Sequence, residues 1–294
     1  MKIKFIIQLL RPQQWAKNGF IFLPLFFNGQ FTNITLLLMC TSVFFAFSFA
    51  ASSVYCFNDI YDVNADRLHP EKCKRPIASG KLSKFEGYIA QIFCMALSFV
   101  ILLLFGGESR FSVGGIILFY YLMNIAYCVK LKHFAIIDVA VIAVGFVLRV
   151  LSGGIAGSIF LSEWIILMTF LLALLLAFAK RRDDVAIYQS TGIQPRKNTN
   201  RYNMEFMNQV IAIISAIIIV AYIMYSVSPE VTARFNSNYV YLTSIFVLLG
   251  IIRYLQITTV DLKSSSPTKI LMHDRFIQSC IALWVISFFI IIYQ

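Results

Sequence analysis

Apolar residues along this chain come in long unbroken blocks, separated by short polar runs. A membrane-crossing helix needs about 20 mainly apolar residues. Nine stretches approach that length: 14–30, 34–57, 86–105, 111–129, 134–152, 162–179, 207–228, 238–257 and 277–293. The first is the weakest, because Lys17 lies inside it and Pro24 interrupts it. The pattern predicts an all-α polytopic membrane bundle of nine transmembrane helices, forming one domain over residues 1–294. Residues 183–205 and 258–275 are polar, contain Gly192, Pro195 and Pro267, and read as surface loops, each with a short helix. Met1–Leu10 is too short for the apolar core of a cleavable leader, and no small-residue cleavage site accompanies Arg11.

Lysine and arginine set the expected orientation. Nearly all of them fall before the first block or after the second, fourth, sixth and eighth, whereas the opposite loops hold only Arg110 and Arg234. Positive loops stay inside. The N-terminus and the charged loops are therefore expected in the cytoplasm and the C-terminus outside, in a multi-pass protein of the cell (inner) membrane.

Composition supports the bilayer as solvent. Hydrophobic residues make up 59% of the chain and charged ones 13%, about half the charged share of a soluble domain. The net charge of +11 has no soluble basic module to carry it, so nucleic acid is not an expected partner. The basic residues fit membrane lipids and the orientation rule instead. The six cysteines show no metal-ligand spacing and read as small hydrophobes.

The densest chemistry is "NDIYDVNAD", residues 58–66. If the helix continues through it, Asn58, Asp62 and Asp66 recur every four residues, with Asp59 on the same broad face. Like charges at that spacing repel unless a cation bridges them. An oxygen-only donor set of Asp59, Asp62 and Asn58 suits Mg²⁺, which keeps several waters and shares a phosphate-bearing substrate; the other reading is a solvated juxtamembrane loop with a helix-capping Asp. Arg75, held by Pro76, reads either as a topological charge or as a phosphate clamp. Lys17 either snorkels or meets an anion in a polar cavity. "NIAYCVKLKHFAIIDVAV" (124–141) adds Tyr127, Lys130, Lys132 and Asp138. Its lysines are topological or phosphate-directed, and Asp138 suits a helix N-terminus. Arg149 reads as one member of a structural pair or as an outer-surface snorkel.

With these motifs in view, the chain resembles the UbiA superfamily of intramembrane transferases, whose signature NDxxDxxxD matches residues 58–66. "LRPQQWAKN" (10–18), "AYCVKLKHFAIIDV" (126–139), "RVLSGGIAG" (149–157) and "AKR" (179–181) look like its decaprenyl-phosphate phosphoribosyltransferase branch. The resemblance implies an active site at the cytosolic mouth and Mg²⁺-dependent transfer of 5-phosphoribose from phosphoribosyl diphosphate to a polyprenyl phosphate. It implies Asp59, Asp62 and Asp66 as catalytic carboxylates, and Lys17, Asn58, Arg75, Tyr127, Lys130 and Lys132 as substrate-binding groups. Homo-oligomerisation stays open. The alternative is a prenyltransferase joining a polyprenyl diphosphate to an aromatic acceptor. Such enzymes carry a second acidic pair, where the region after residue 124 offers mainly Tyr127, Lys130 and Lys132.

Overall fold

Long apolar runs become helices here because polar side chains punctuate them. In the computed structural model Asn33 accepts hydrogen bonds from the N–H groups of Thr35 and Leu36, and Asn203 accepts one from Phe206. Ser83 and Glu86 exchange bonds in a reciprocal cap. Each cap is worth about 1 kcal/mol. The structure describes residues 2–69, 71–192, 198–261, 270 and 273–293.

The helices are α1 (Lys2–Leu10), α2 (Leu23–Phe27), α3 (Ile34–Tyr61), α4 (Val63–Leu68), α5 (Lys84–Phe105) and α6 (Arg110–Val129), followed by α7 (Ile137–Ala156), α8 (Glu163–Thr191), α9 (Met204–Val227), α10 (Pro229–Phe235), α11 (Ser244–Thr259) and α12 (Arg275–Tyr293). No strand occurs among the described residues. Seven helical segments are long and apolar enough to cross a bilayer, built on α3, α5, α6, α7, α8, α9 and α11. The protein is an integral, multi-pass membrane protein. A shorter apolar helix, α12, follows them.

Two expectations need correction. Residues 14–30 do not form a spanning helix. Pro12–Phe22 is a 3-10 helix of 11 residues, and α2 adds only five more. Runs of 3-10 helix beyond four residues are uncommon, and side-chain bonds to α3 sustain this one. Trp15 Nε1 donates to Ser52 Oγ at 3.0 Å, and Asn18 Nδ2 donates to Ser48 Oγ at 2.7 Å. Three residues of 3-10 helix rise about 6 Å, as do four residues of α-helix. The two partners on each side therefore keep step only in this conformation. The second correction concerns α8, which runs to Thr191 instead of ending near residue 179. The i,i+3 pair of Arg181 with Asp184 (3.1 Å) lies in that extension. Pro195 and Pro267 lie outside the described residues.

Contacts divide the chain into two units, 1–132 with 144–161, and 133–143 with 162–294. The first has a core of Ile21, Leu25, Phe47, Ile117 and Leu148, with a second cluster around Leu9, Ile60 and Ile77. The other is built on Leu175, Phe178, Met207, Ile211 and Ile218. Exposed Ile92, Phe93 and Leu104 on α5, and Ile213 and Val220 on α9, face outward as lipid-bathed side chains do.

Gly153 allows the 3-10 segment to lie flat on α7, since a Cβ there would overlap the Ile21 carbonyl. Gly153→Ala should lower the melting temperature of the purified protein by several degrees or prevent its accumulation. Gly115, with open space around it, is the control. Gly115→Ala should leave the melting temperature unchanged or raise it, because alanine is the better helix former by about 1 kcal/mol.

Candidate active site

The acidic motif sits where α3 ends. Asp62 caps that helix with φ −87° and ψ 6°, and the chain restarts as α4. The helix therefore breaks within the motif, although the Asp66 N–H still bonds the Asp62 carbonyl at 2.8 Å. The break separates the carboxylates into two settings. Asp59, 1% exposed, and Asp66, 3% exposed, turn inward. Asp62 stays partly open.

A buried carboxylate in the last turn of a helix faces both the desolvation cost and the negative end of the helix dipole. Two guanidiniums answer this. Arg11 Nη2 lies 2.6 Å and Arg75 Nη1 3.1 Å from Asp59 Oδ1, and the same Arg75 nitrogen reaches Asp66 Oδ2 at 2.7 Å. Lys132 Nζ donates to both oxygens of Asp62, at 2.6 and 2.8 Å, and lies over the Tyr61 ring. Three carboxylates thus meet three cations. Asp59 Oδ2 is buried without a hydrogen-bond partner among the described residues.

Local sequence explains the positions. Arg75 is extended (φ −63°, ψ 147°), as the residue before a proline must be. Arg11 has a left-handed backbone (φ 52°) that turns the chain from α1 into the 3-10 segment. Its guanidinium also lies over Tyr55. Lys132 sits in the short 3-10 turn after α6. Cys128 Sγ donates to Asn58 Oδ1 at 3.3 Å.

Of the residues expected at the site, Asn58, Asp59, Asp62, Asp66, Arg75 and Lys132 are joined by the α3–α4 junction and its partners. The side chains of Tyr127 and Lys130 make no ion pair or hydrogen bond among the described residues, and Lys130 is exposed. Lys17 is exposed on the 3-10 segment beside fully buried Asn18. Arg11 was not expected. Its only signal is an Arg–Pro step ahead of Trp15 and Asn18, and nothing in that spacing pairs it with a residue 48 positions away.

Arg149 does not snorkel, and it pairs with no carboxylate among the described residues. It is 5% exposed and donates to Asn18 Oδ1 (2.7 Å), the Gly145 carbonyl (2.6 Å) and the Tyr120 hydroxyl (3.2 Å). Its guanidinium lies 4.9–5.4 Å from the ring centres of Phe47, Tyr120 and Phe146. Asp138 does stand in the first turn of α7, as expected, and pairs with Arg181 at 2.6 Å. The Tyr202 hydroxyl donates to Asp138 Oδ1 and accepts from the Ile136 N–H. Burial, helped by that carboxylate, pushes its pKa up to about 12, so the phenol stays neutral.

An all-helical membrane protein with an acidic motif at a helix end, faced by arginine and lysine, defines a class of intramembrane transferases. Residues 20–280 match the UbiA prenyltransferase family, and the chain belongs to it. It is 28% identical over 291 residues to the decaprenyl-phosphate phosphoribosyltransferase of Corynebacterium glutamicum, covering 98% of this chain and 86% of that protein. It is 29% identical to the protein of that name from Mycolicibacterium smegmatis, covering 95% and 90%. The fold matches the UbiA homolog from Archaeoglobus fulgidus bound to DMAPP and Mg²⁺, with a TM-score of 0.70 at 19% identity, over 98% and 99% of the two chains.

Removing Arg11 takes one of two cations from a buried carboxylate oxygen. Arg11→Ala should cost about 1.5–3 kcal/mol, the range for a hydrogen bond to a charged group, read as a lower melting temperature. Arg11→Lys should recover part of it. An unchanged melting temperature in Arg11→Ala would show that Arg75 alone suffices.

Proposed function

We propose that this protein transfers 5-phosphoribose from phosphoribosyl diphosphate to a polyprenyl phosphate at the cytoplasmic face of the cell membrane, releasing diphosphate. The observation that carries the reading is the matched cluster of Asp59, Asp62 and Asp66 with Arg11, Arg75 and Lys132. Near-full-length likeness to decaprenyl-phosphate phosphoribosyltransferases supports the choice of donor and acceptor.

Magnesium fits the donor set. No group of three or more His, Cys, Asp or Glu among the described residues forms a ready-made cage. Mg²⁺ does not require one, since it is usually held by one or two carboxylates, waters and substrate phosphates. Asp59 supplies a buried oxygen with no hydrogen-bond partner among the described residues, and Asp62 and the Asn58 amide would complete the protein's share. Bound there, the metal would offset the negative charge that grows on the departing diphosphate.

The chain's own residues do the rest by position and charge. Arg75 and Lys132, now on carboxylates, are cations able to turn to phosphate oxygens, with Arg75 offering a planar fork. Lys17, Tyr127 and Lys130 would steady the 5-phosphate and the acceptor phosphate. As the bond from C1 of the ribose to the diphosphate oxygen breaks, its electron pair leaves with the diphosphate. The ribose ring gains oxocarbenium character. A lone pair of the lipid phosphate oxygen then forms the new bond to C1. That oxygen is already anionic, so no general base is needed, and catalysis rests on orientation and electrostatics.

Purified protein given Mg²⁺, labelled phosphoribosyl diphosphate and a polyprenyl phosphate should yield labelled lipid, and chelation should stop it. Asp59→Asn should lower kcat at least about 100-fold, the scale for losing one electrostatic contact in a transition state. Lys132→Ala should raise the KM for phosphoribosyl diphosphate about 10-fold, or about 1.4 kcal/mol. No labelled lipid from the wild-type protein, with product formed instead from a polyprenyl diphosphate and an aromatic acceptor, would replace this reading by prenyl transfer.

A further inference from the structure

We propose that the protein holds a negatively charged glycerophospholipid in a cavity separate from the acidic cluster. The cavity, about 400 Å³, is lined by Lys2 of α1, Arg67 of α4, and Lys81, Lys84 and Glu86 around the start of α5. None of these side chains bonds to Asp59, Asp62 or Asp66.

Charge decides what fits. Four cations line the space against one carboxylate, which is already committed. Glu86 Oε1 accepts from Lys2 Nζ at 2.7 Å, and its Oε2 accepts from the Ser83 N–H at 2.8 Å and from the Ser83 hydroxyl. Lys81 and Lys84 make no ion pair among the described residues. Lys81 instead lies over the Phe5 ring at 4.9 Å, which fixes its ammonium beside α1. Orientation alone calls for cations near a membrane surface. It does not call for cations from three separate elements to converge on one concavity.

Apolar surface decides between a lipid and a free anion. α1 is amphipathic, with Leu9 buried in the core and Ile3, Ile6 and Ile7 exposed, the pattern of a helix lying in the membrane interface. Leu68, next to Arg67, is 89% exposed, and Phe85, next to Lys84, is 72% exposed. Ile89 and Ile92 continue the exposed apolar side of α5. Cations therefore alternate with grease along the rim. That combination recognises one molecule carrying both an anionic head and acyl chains.

Native mass spectrometry of the delipidated full-length protein, titrated separately with phosphatidylglycerol, phosphatidylcholine and inorganic phosphate, tests this. Phosphatidylglycerol should be retained and should raise the melting temperature; the other two should do neither. The double variant Lys81→Ser, Lys84→Ser should bind phosphatidylglycerol about 30-fold more weakly, given the worth of each basic residue at an anionic surface. The variant Lys81→Arg, Lys84→Arg should bind like wild type. Equal retention of phosphatidylcholine, or undiminished binding by the serine variant, would overturn the proposal. Equal protection by inorganic phosphate would also overturn it, by making the cavity a site for soluble anions. If the serine variant does not accumulate, the three-way comparison on the wild-type protein still decides.

Discussion

A carboxylate buried at the C-terminal end of a 28-residue apolar helix is the constraint around which the first unit is organised. Burial and the helix dipole both oppose the charge on Asp59. Cations must therefore come to it from elsewhere in the chain. Arg11 comes from the segment before α3, and Arg75 from the loop after α4. Arg75 also holds Asp66, so one guanidinium joins the end of α3 to α4. A cluster of equal opposite charges is stable without substrate, yet its cations are of the kind that phosphates attract.

Arg11 can reach Asp59 only because the 3-10 segment is in register with α3. Ser48, Ser52, Tyr55 and Asp59 recur at intervals of four, three and four along one face of that helix. Asn18, Trp15 and Arg11 meet them in descending order. Ser52 also donates to the Leu10 carbonyl at 2.8 Å. Arg149 completes the arrangement by bonding the other end of the Asn18 amide. It has no carboxylate partner among the described residues. Three aromatic faces and three neutral acceptors stabilise its charge instead, and a desolvated cation–π contact contributes about 2 kcal/mol. An intramembrane arginine is thus used to hold a polar segment in place.

Much of this was legible before any coordinates. The spanning helices follow from block length, and α3, α5 and α9 begin at or within three residues of the expected positions. The motif 58–66 stood out because like charges at that spacing repel unless a cation bridges them. Lys132 and Arg75 were legible as cations near it, though not as partners of Asp62 and of Asp59 with Asp66. Other features were not legible. Residues 14–30 have the hydropathy of a span, and their conformation depends on Ser48 and Ser52, which look unremarkable in an apolar helix. Asp138 and Arg149 share one predicted helix, yet Asp138 pairs with Arg181 and Arg149 with neutral groups.

The sequence alone determined that the bilayer is the solvent, where most of the long helices run, and which end of the second block concentrates charge. Those properties depend on neighbours within a few turns, where periodicity and composition carry the information. Tertiary structure decided which cation meets which carboxylate, that residues 12–22 wind as a 3-10 helix, and that Lys2, Arg67, Lys81, Lys84 and Glu86 line one cavity. These depend on side chains brought together from distant parts of the chain. Ion pairs select partners by distance in space, and separation along the chain does not encode that distance.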